Sequence, residues 1–144
     1  VSLFGSYYCG ATVINVNPMY KSREIKDLLI DSEAEYIFVL DRFYEELKPC
    51  IMDSNLKKII ICRINDLLNP FMKLIVPIIM SYKKQSVKIE KKKNIIFFSD
   101  IISNNFGYND VYVEADDIAL LQYTGGTTGK SKAAICGYIG YLLC

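Results

Sequence analysis

No histidine occurs in the 144-residue chain. Ser-His-Asp and Cys-His nucleophile systems are therefore excluded, together with any zinc site that needs imidazole. Charge of one sign is also lacking. Seventeen Lys and Arg face sixteen Asp and Glu, for a net charge of +1, so nothing suggests a nucleic-acid partner, which calls for a strong basic excess. The five cysteines (Cys9, Cys50, Cys62, Cys136, Cys144) are odd in number, irregularly spaced and without a C-x-x-C pair. That pattern implies reduced, mostly buried thiols in a cytoplasmic protein rather than a disulfide framework or a zinc clip. No uninterrupted apolar run of about eighteen residues is present, the length a membrane span requires. The nearest, Leu67 to Tyr82, is broken by Pro70, Lys73 and Pro77. The opening Val1-Ser2-Leu3-Phe4 has no basic stretch of a signal peptide and reads as the middle of an element.

What is present is a large apolar fraction, 51%, enough for a substantial core in a chain of single-domain size. Residues 3–9 read as the last turns of a helix with Gly10 as its left-handed cap. Ala11 to Val16 reads as a short β-branched strand closed by Asn17-Pro18. A helix is expected from Ser22, its N-cap, with Ile25, Leu28 and Leu29 on one face. Strands are expected at Tyr36–Leu40 and Lys58–Cys62, with a short amphipathic helix between them, capped by Asp41 and running toward Pro49. Asn94 to Phe98 returns to strand, Ser99 caps a short helix, and 104–109 is loop. Alternating strands and helices, with strands apolar on both faces, predict an α/β fold: a parallel sheet flanked by helices.

Residues 66–82 read as a short irregular helix or surface hairpin, given their two prolines. Six lysines and one glutamate then give residues 83–93 a charge of +5. A solvated loop is the first expectation for such a run. The functional alternative is peripheral contact of residues 67–93 with an anionic membrane surface.

The segment that carries chemistry runs from Asp116 to Ile135. An apolar strand, Ile118 to Tyr123, enters Thr124-Gly125-Gly126-Thr127-Thr128-Gly129-Lys130-Ser131-Lys132, and a second apolar strand begins near Ala133. Glycines let consecutive N–H groups converge on one concavity, hydroxyls add rotatable donors, and lysine adds positive charge. Together they make an anion cradle suited to a polyphosphate. A plain strand-joining turn needs only one or two special backbone positions. The Walker pattern G-x-x-x-x-G-K-[ST] is met at Gly129-Lys130-Ser131 but fails at its first glycine, where Thr124 stands. It also requires a helix after the loop, whereas Lys132-Ala133-Ala134 reads as strand.

Tyr123 to Lys132 resembles the phosphate-binding loop of the AMP-forming acyl-CoA synthetase and adenylate-forming ligase superfamily, Thr-Ser/Gly-Gly-Thr/Ser-Thr-Gly-x-Pro-Lys-Gly. Gly10-Ala11 with Asn17-Pro18-Met19-Tyr20, Ser22-Arg23-Glu24-Ile25 and Asp31-Ser32-Glu33-Ala34 resemble its upstream segments, and the whole is most similar to the long-chain fatty acid–CoA ligase branch. Ser131 and Ala133 stand where that family usually has Pro and Gly. Cys136 to Cys144 departs from its pattern, which suggests a truncated or frameshifted reading. The resemblance implies that residues 1–144 are an incomplete N-terminal, AMP-binding domain. It implies ATP, Mg²⁺ and CoA as cofactors, with ATP, fatty acid and CoA as small-molecule substrates and no nucleic acid. By resemblance, Thr124, Gly125, Gly126, Thr127, Thr128 and Gly129 hold the β- and γ-phosphates, and Lys132 adds charge to the leaving pyrophosphate. The motifs that would supply a metal-binding glutamate, the adenine and ribose contacts and a C-terminal catalytic lysine are missing, so low activity is expected of this chain alone. No metal ligand is assigned. A P-loop hydrolase and a non-catalytic nucleotide-binding or remnant protein are the alternatives.

Overall fold

A computed structural model describes residues 2–63, 89–104, 107, 109, 111–124 and 132–139. The chain divides into two compact units, one formed by Val1–Tyr20 with Phe106–Cys144 and the other by Lys21–Asn105. The expected irregular segment 66–82 and most of the basic run lie outside the described residues. Of that run, Glu90 to Lys93 are exposed.

In the first unit, helix α1 (Ser2–Tyr8) leads into strand β1 (Val13–Asn15). The turn between them is closed as the sequence predicts. Gly10 adopts a φ of 68°, its N–H donates to Tyr7 O at 2.9 Å, and the Ala11 N–H donates to Ser6 O at 3.0 Å. These two bonds form the Schellman closure of a helix end.

The second unit opens with helix α2 (Ser22–Ser32), which buries Ile25, Leu28 and Leu29 as their spacing requires. Its N-cap is Lys21 rather than Ser22, a shift of one residue. The reason is tertiary. Glu46, from another helix, accepts from the Ser22 N–H at 3.3 Å and the Ser22 hydroxyl at 3.0 Å, while Glu24 accepts from the Lys21 N–H at 2.8 Å. Strand β2 (Tyr36–Leu40) runs into a 3-10 turn (Asp41–Phe43), helix α3 (Tyr44–Leu47) and a second 3-10 segment (Lys48–Asp53). Tyr44, Leu47 and Cys50 from this stretch are buried, and both α3 and the second 3-10 segment pack on α2.

Strands β3 (Lys58–Cys62) and β4 (Ile95–Phe97) come next, and helix α4 (Phe98–Ser103) completes the unit. Ser99 lies inside α4, one position beyond its first residue, because Phe97 occupies the N-cap. The sheet order is β2-β3-β4, all parallel. Ile59 and Ile61 in the central strand are fully buried and Ile60 nearly so. A continuous apolar run is what a strand covered on both faces requires.

Strands β5 (Ile118–Thr124) and β6 (Lys132–Gly137) return to the first unit, where the sheet order is β1-β5-β6. The described strands thus form two three-stranded sheets instead of one. β1 and β5 are parallel, while β5 and β6 are antiparallel. The α/β class and the parallel pairing agree with the sequence reading. The antiparallel return adds to it and is the direct geometric result of two strands joined by a short loop.

Candidate functional site

β5 is the central strand of its sheet. Ala119, Leu120 and Tyr123 are buried, which fixes the strand, and the next residue, Thr124, emerges exposed. On the far side of the loop, Lys132 begins β6 and is exposed as well. Thr124 and Lys132 face each other in the ladder, and the Thr124 hydroxyl donates to Lys132 O at 3.2 Å. Of the sequence-predicted residues, the structure therefore brings Thr124 and Lys132 together as the two sides of the loop's mouth. Gly125, Gly126, Thr127, Thr128 and Gly129 lie outside the described residues.

The chain leaves the loop as a strand, not a helix. The β6 backbone continues through Gly137, pairing with β5 as far as Ile118. The loop therefore has no helix dipole at its exit, and among the described residues positive charge at this end comes from the Lys132 side chain. No carboxylate pairs with Lys132 among the described residues.

Two side chains that the sequence reading did not single out stand beside this mouth. Asn15, at the carboxyl end of β1, lies opposite Gln122 of β5, and its Nδ2 donates to Gln122 Oε1 at 3.2 Å. Gln122 Nε2 in turn donates to Tyr123 O at 3.3 Å. The signal available in sequence was one polar amide at the end of each of two apolar strands.

The segment after β6 is integrated into the same unit. Tyr138 N–H donates to Asp117 O at 3.1 Å, and its hydroxyl donates to Tyr7 O at 3.2 Å. The Tyr7 and Tyr138 rings meet edge to face, with centroids 6.0 Å apart. Burial, with Asp117 and Cys9 nearby, pushes the Tyr138 phenol above its ordinary range. Among the described residues no cluster of three or more His, Cys, Asp or Glu could hold a metal ion. No described helix is long and apolar enough to cross a membrane.

An α/β framework in which a glycine- and threonine-rich segment joins two antiparallel strands is distinct from the Walker arrangement, whose loop opens a helix. A sequence model of the AMP-binding enzyme family matches residues 1–142, and the chain belongs to that family. The match runs through residues 136–142, which the motif pattern alone had set apart. Long-chain-fatty-acid–CoA ligase of Haemophilus influenzae is 34% identical over 139 residues, and that of Bacillus subtilis 30% over 138 residues. Each alignment covers 94% of this chain but 24% of the relative, so the chain spans about a quarter of the curated relatives' length. Among solved structures, an anthranilate CoA ligase in complex with anthranoyl-AMP superposes with a TM-score of 0.73 at 20% identity, over 99% of this chain and 23% of that one. A long-chain-fatty-acid-CoA ligase from Archaeoglobus fulgidus gives 0.66 at 24% identity, over 95% and 22% respectively. The fold is that of adenylate-forming ligases.

Proposed function

We propose that this chain carries the phosphate-holding part of an AMP-forming fatty acid–CoA ligase, within an N-terminal AMP-binding domain. The reaction activates a long-chain carboxylic acid with ATP. A carboxylate oxygen bonds to the α-phosphorus, the bond from that phosphorus to the bridging oxygen breaks, and pyrophosphate leaves. The CoA thiol then displaces AMP from the acyl-adenylate and loses its proton. The observation that carries the reading is the loop itself, mounted on a buried strand, in a chain 34% identical to long-chain-fatty-acid–CoA ligases over 94% of its length.

In this reading, the amides and hydroxyls of Gly125, Gly126, Thr127, Thr128 and Gly129 surround the β- and γ-phosphates. Transfer at phosphorus depends mainly on positioning and on stabilising charge. Lys132 supplies a fixed positive charge for the departing pyrophosphate. Thr124 lies at the mouth, and its hydroxyl would turn from the Lys132 carbonyl to donate to a phosphate. ATP fits these residue types. Mg²⁺ would accompany ATP on the nucleotide's phosphates. CoA use rests on the relatives' names alone, as does the fatty acid. Cytoplasmic action fits the reduced cysteine pattern, and the exposed Lys91–Lys93 supports peripheral membrane contact through residues 67–93.

The test is nucleotide protection against unfolding. MgATP should raise the unfolding midpoint of the wild-type chain, and Lys132→Ala should remove most of that rise without lowering the midpoint of the free protein. A wild-type midpoint indifferent to saturating MgATP and to pyrophosphate overturns the reading in favour of a non-catalytic protein.

A further inference from the structure

Asn15 and Gln122 interrupt two apolar strands at one level of the sheet. Asn15 lies opposite Gln122, Gln122 opposite Ala134, and Thr124 opposite Lys132. Side chains alternate between faces with a period of two, so Asn15, Gln122, Thr124 and Lys132 share one face. Within the row Asn15–Gln122–Ala134, the alanine methyl offers Gln122 no hydrogen bond, and Asn15 is the neighbour that does. The amide of Asn15 holds the Gln122 side-chain oxygen at 3.2 Å. This orients the other end of the Gln122 amide, whose nitrogen donates to Tyr123 O at 3.3 Å.

That carbonyl belongs to the peptide leading from buried Tyr123 into exposed Thr124, the last rung of β5. On the other side of the rung, the Thr124 hydroxyl donates to Lys132 O. Thr124 is therefore tied twice, through the carbonyl before it by Gln122 and through its own hydroxyl to the opposite strand.

We propose that Asn15 and Gln122 are positioning residues that fix the Tyr123–Thr124 peptide and so hold the two ends of the 125–131 loop in register. The role of the loop rests on the proposed nucleotide binding; the grip itself does not. Asn15 acts only through Gln122, and neither residue needs to touch a phosphate. A glutamine lacking the Asn15 contact would rotate freely and lose its fixed hold on the Tyr123 carbonyl.

Amide hydrogen exchange read by mass spectrometry on the nucleotide-free chain tests the pair. Gln122→Met keeps the side-chain length and removes both hydrogen bonds. Peptides spanning 123–133 should then exchange about fivefold faster, the factor expected from losing the one hydrogen bond made to the Tyr123–Thr124 peptide, with Lys58–Cys62 unchanged. Asn15→Ala should give a smaller rise. The double variant Asn15→Asp with Gln122→Lys reverses the first bond, with an acceptor at 15 and at 122 an ammonium that can donate both to it and to Tyr123 O, and should return exchange to near the wild-type rate. Wild-type exchange in Gln122→Met, or a double variant no slower than Gln122→Met, overturns the proposal. MgATP protection of the same wild-type peptides reports separately on nucleotide binding, and its absence defeats that reading while the exchange series still decides the pair.

Discussion

Replacing Gly10 by alanine isolates the cost of one backbone conformation at the entry to β1. Gly10 sits at a φ of 68°, in the left-handed region that an L residue with a Cβ disfavours. That preference is worth about 1–2 kcal/mol. Alanine also reduces the freedom of the unfolded chain, which offsets about 0.4–1 kcal/mol. The net loss should be about 1 kcal/mol before contacts are counted. A Cβ at this position would lie 3.0 Å from Val111 Cγ1 and 3.7 Å from Val113 Cγ1. The first approach is too close, but Val111 is 48% exposed and can turn away, so sterics add less than the backbone does. Urea unfolding followed by circular dichroism measures the loss. A cycle with Val111→Ala separates the parts, because removing Cγ1 relieves the clash and leaves the backbone cost. Most of the loss should persist in the Val111→Ala background. A Gly10→Ala chain as stable as wild type would refute the reasoning, since the left-handed turn would then not be needed to join α1 to β1.

The carboxylate of Glu46 is held below its ordinary range, first by its hydrogen bond from Lys21 and then by that from Ser22. A depressed folded value contributes stability that is complete above the unfolded-state pKa and lost as pH falls through the folded one. Glu46→Gln should therefore flatten the acid limb of the stability–pH curve, and an unchanged limb in urea titrations at several pH values would remove Glu46 from its cause. Among the cysteines, Cys9 is exposed, whereas Cys50 is 1% exposed and donates to Ser22 O at 3.0 Å. Burial, its largest influence, pushes the Cys50 thiol up. Iodoacetamide at mildly alkaline pH should label Cys9 quickly and Cys50 only on unfolding; equal native rates by peptide mass mapping would contradict the packing of α2 on the Lys48–Asp53 turn.

Features written within a few residues were legible in the sequence. The face of α2 follows from the spacing of Ile25, Leu28 and Leu29, and the three isoleucines of β3 announce a strand buried on both sides. Gly10 declares its own turn, because few other residues can take that conformation. Pairing is another matter. Val13 finds Leu120 across more than a hundred residues, and nothing local to either specifies the other. Two sheets in place of one arise the same way, as strand propensity carries no address. The N-cap of α2 moved to Lys21 because a carboxylate from α3 serves the Ser22 N–H, an arrangement visible only once both helices are placed.

The loop shows the same division between composition and placement. Its glycines, hydroxyls and lysines are the grounds for proposing anion chemistry from composition alone, but the source of its charge depends on what the chain does next. A helix after the loop would have supplied a partial positive charge from its amide dipoles, as in Walker proteins. Here the chain continues as an antiparallel strand, which pairs with β5 along one edge and whose dipoles largely cancel. In the proposed nucleotide-binding reading, electrostatic support at this exit comes from a side chain, and Lys132 is the first residue of that strand, directly across the rung from Thr124. This makes Lys132 less replaceable than its exposure suggests. Lys132→Arg should retain nucleotide protection in part, since charge survives, whereas Lys132→Gln should lose it as fully as alanine does.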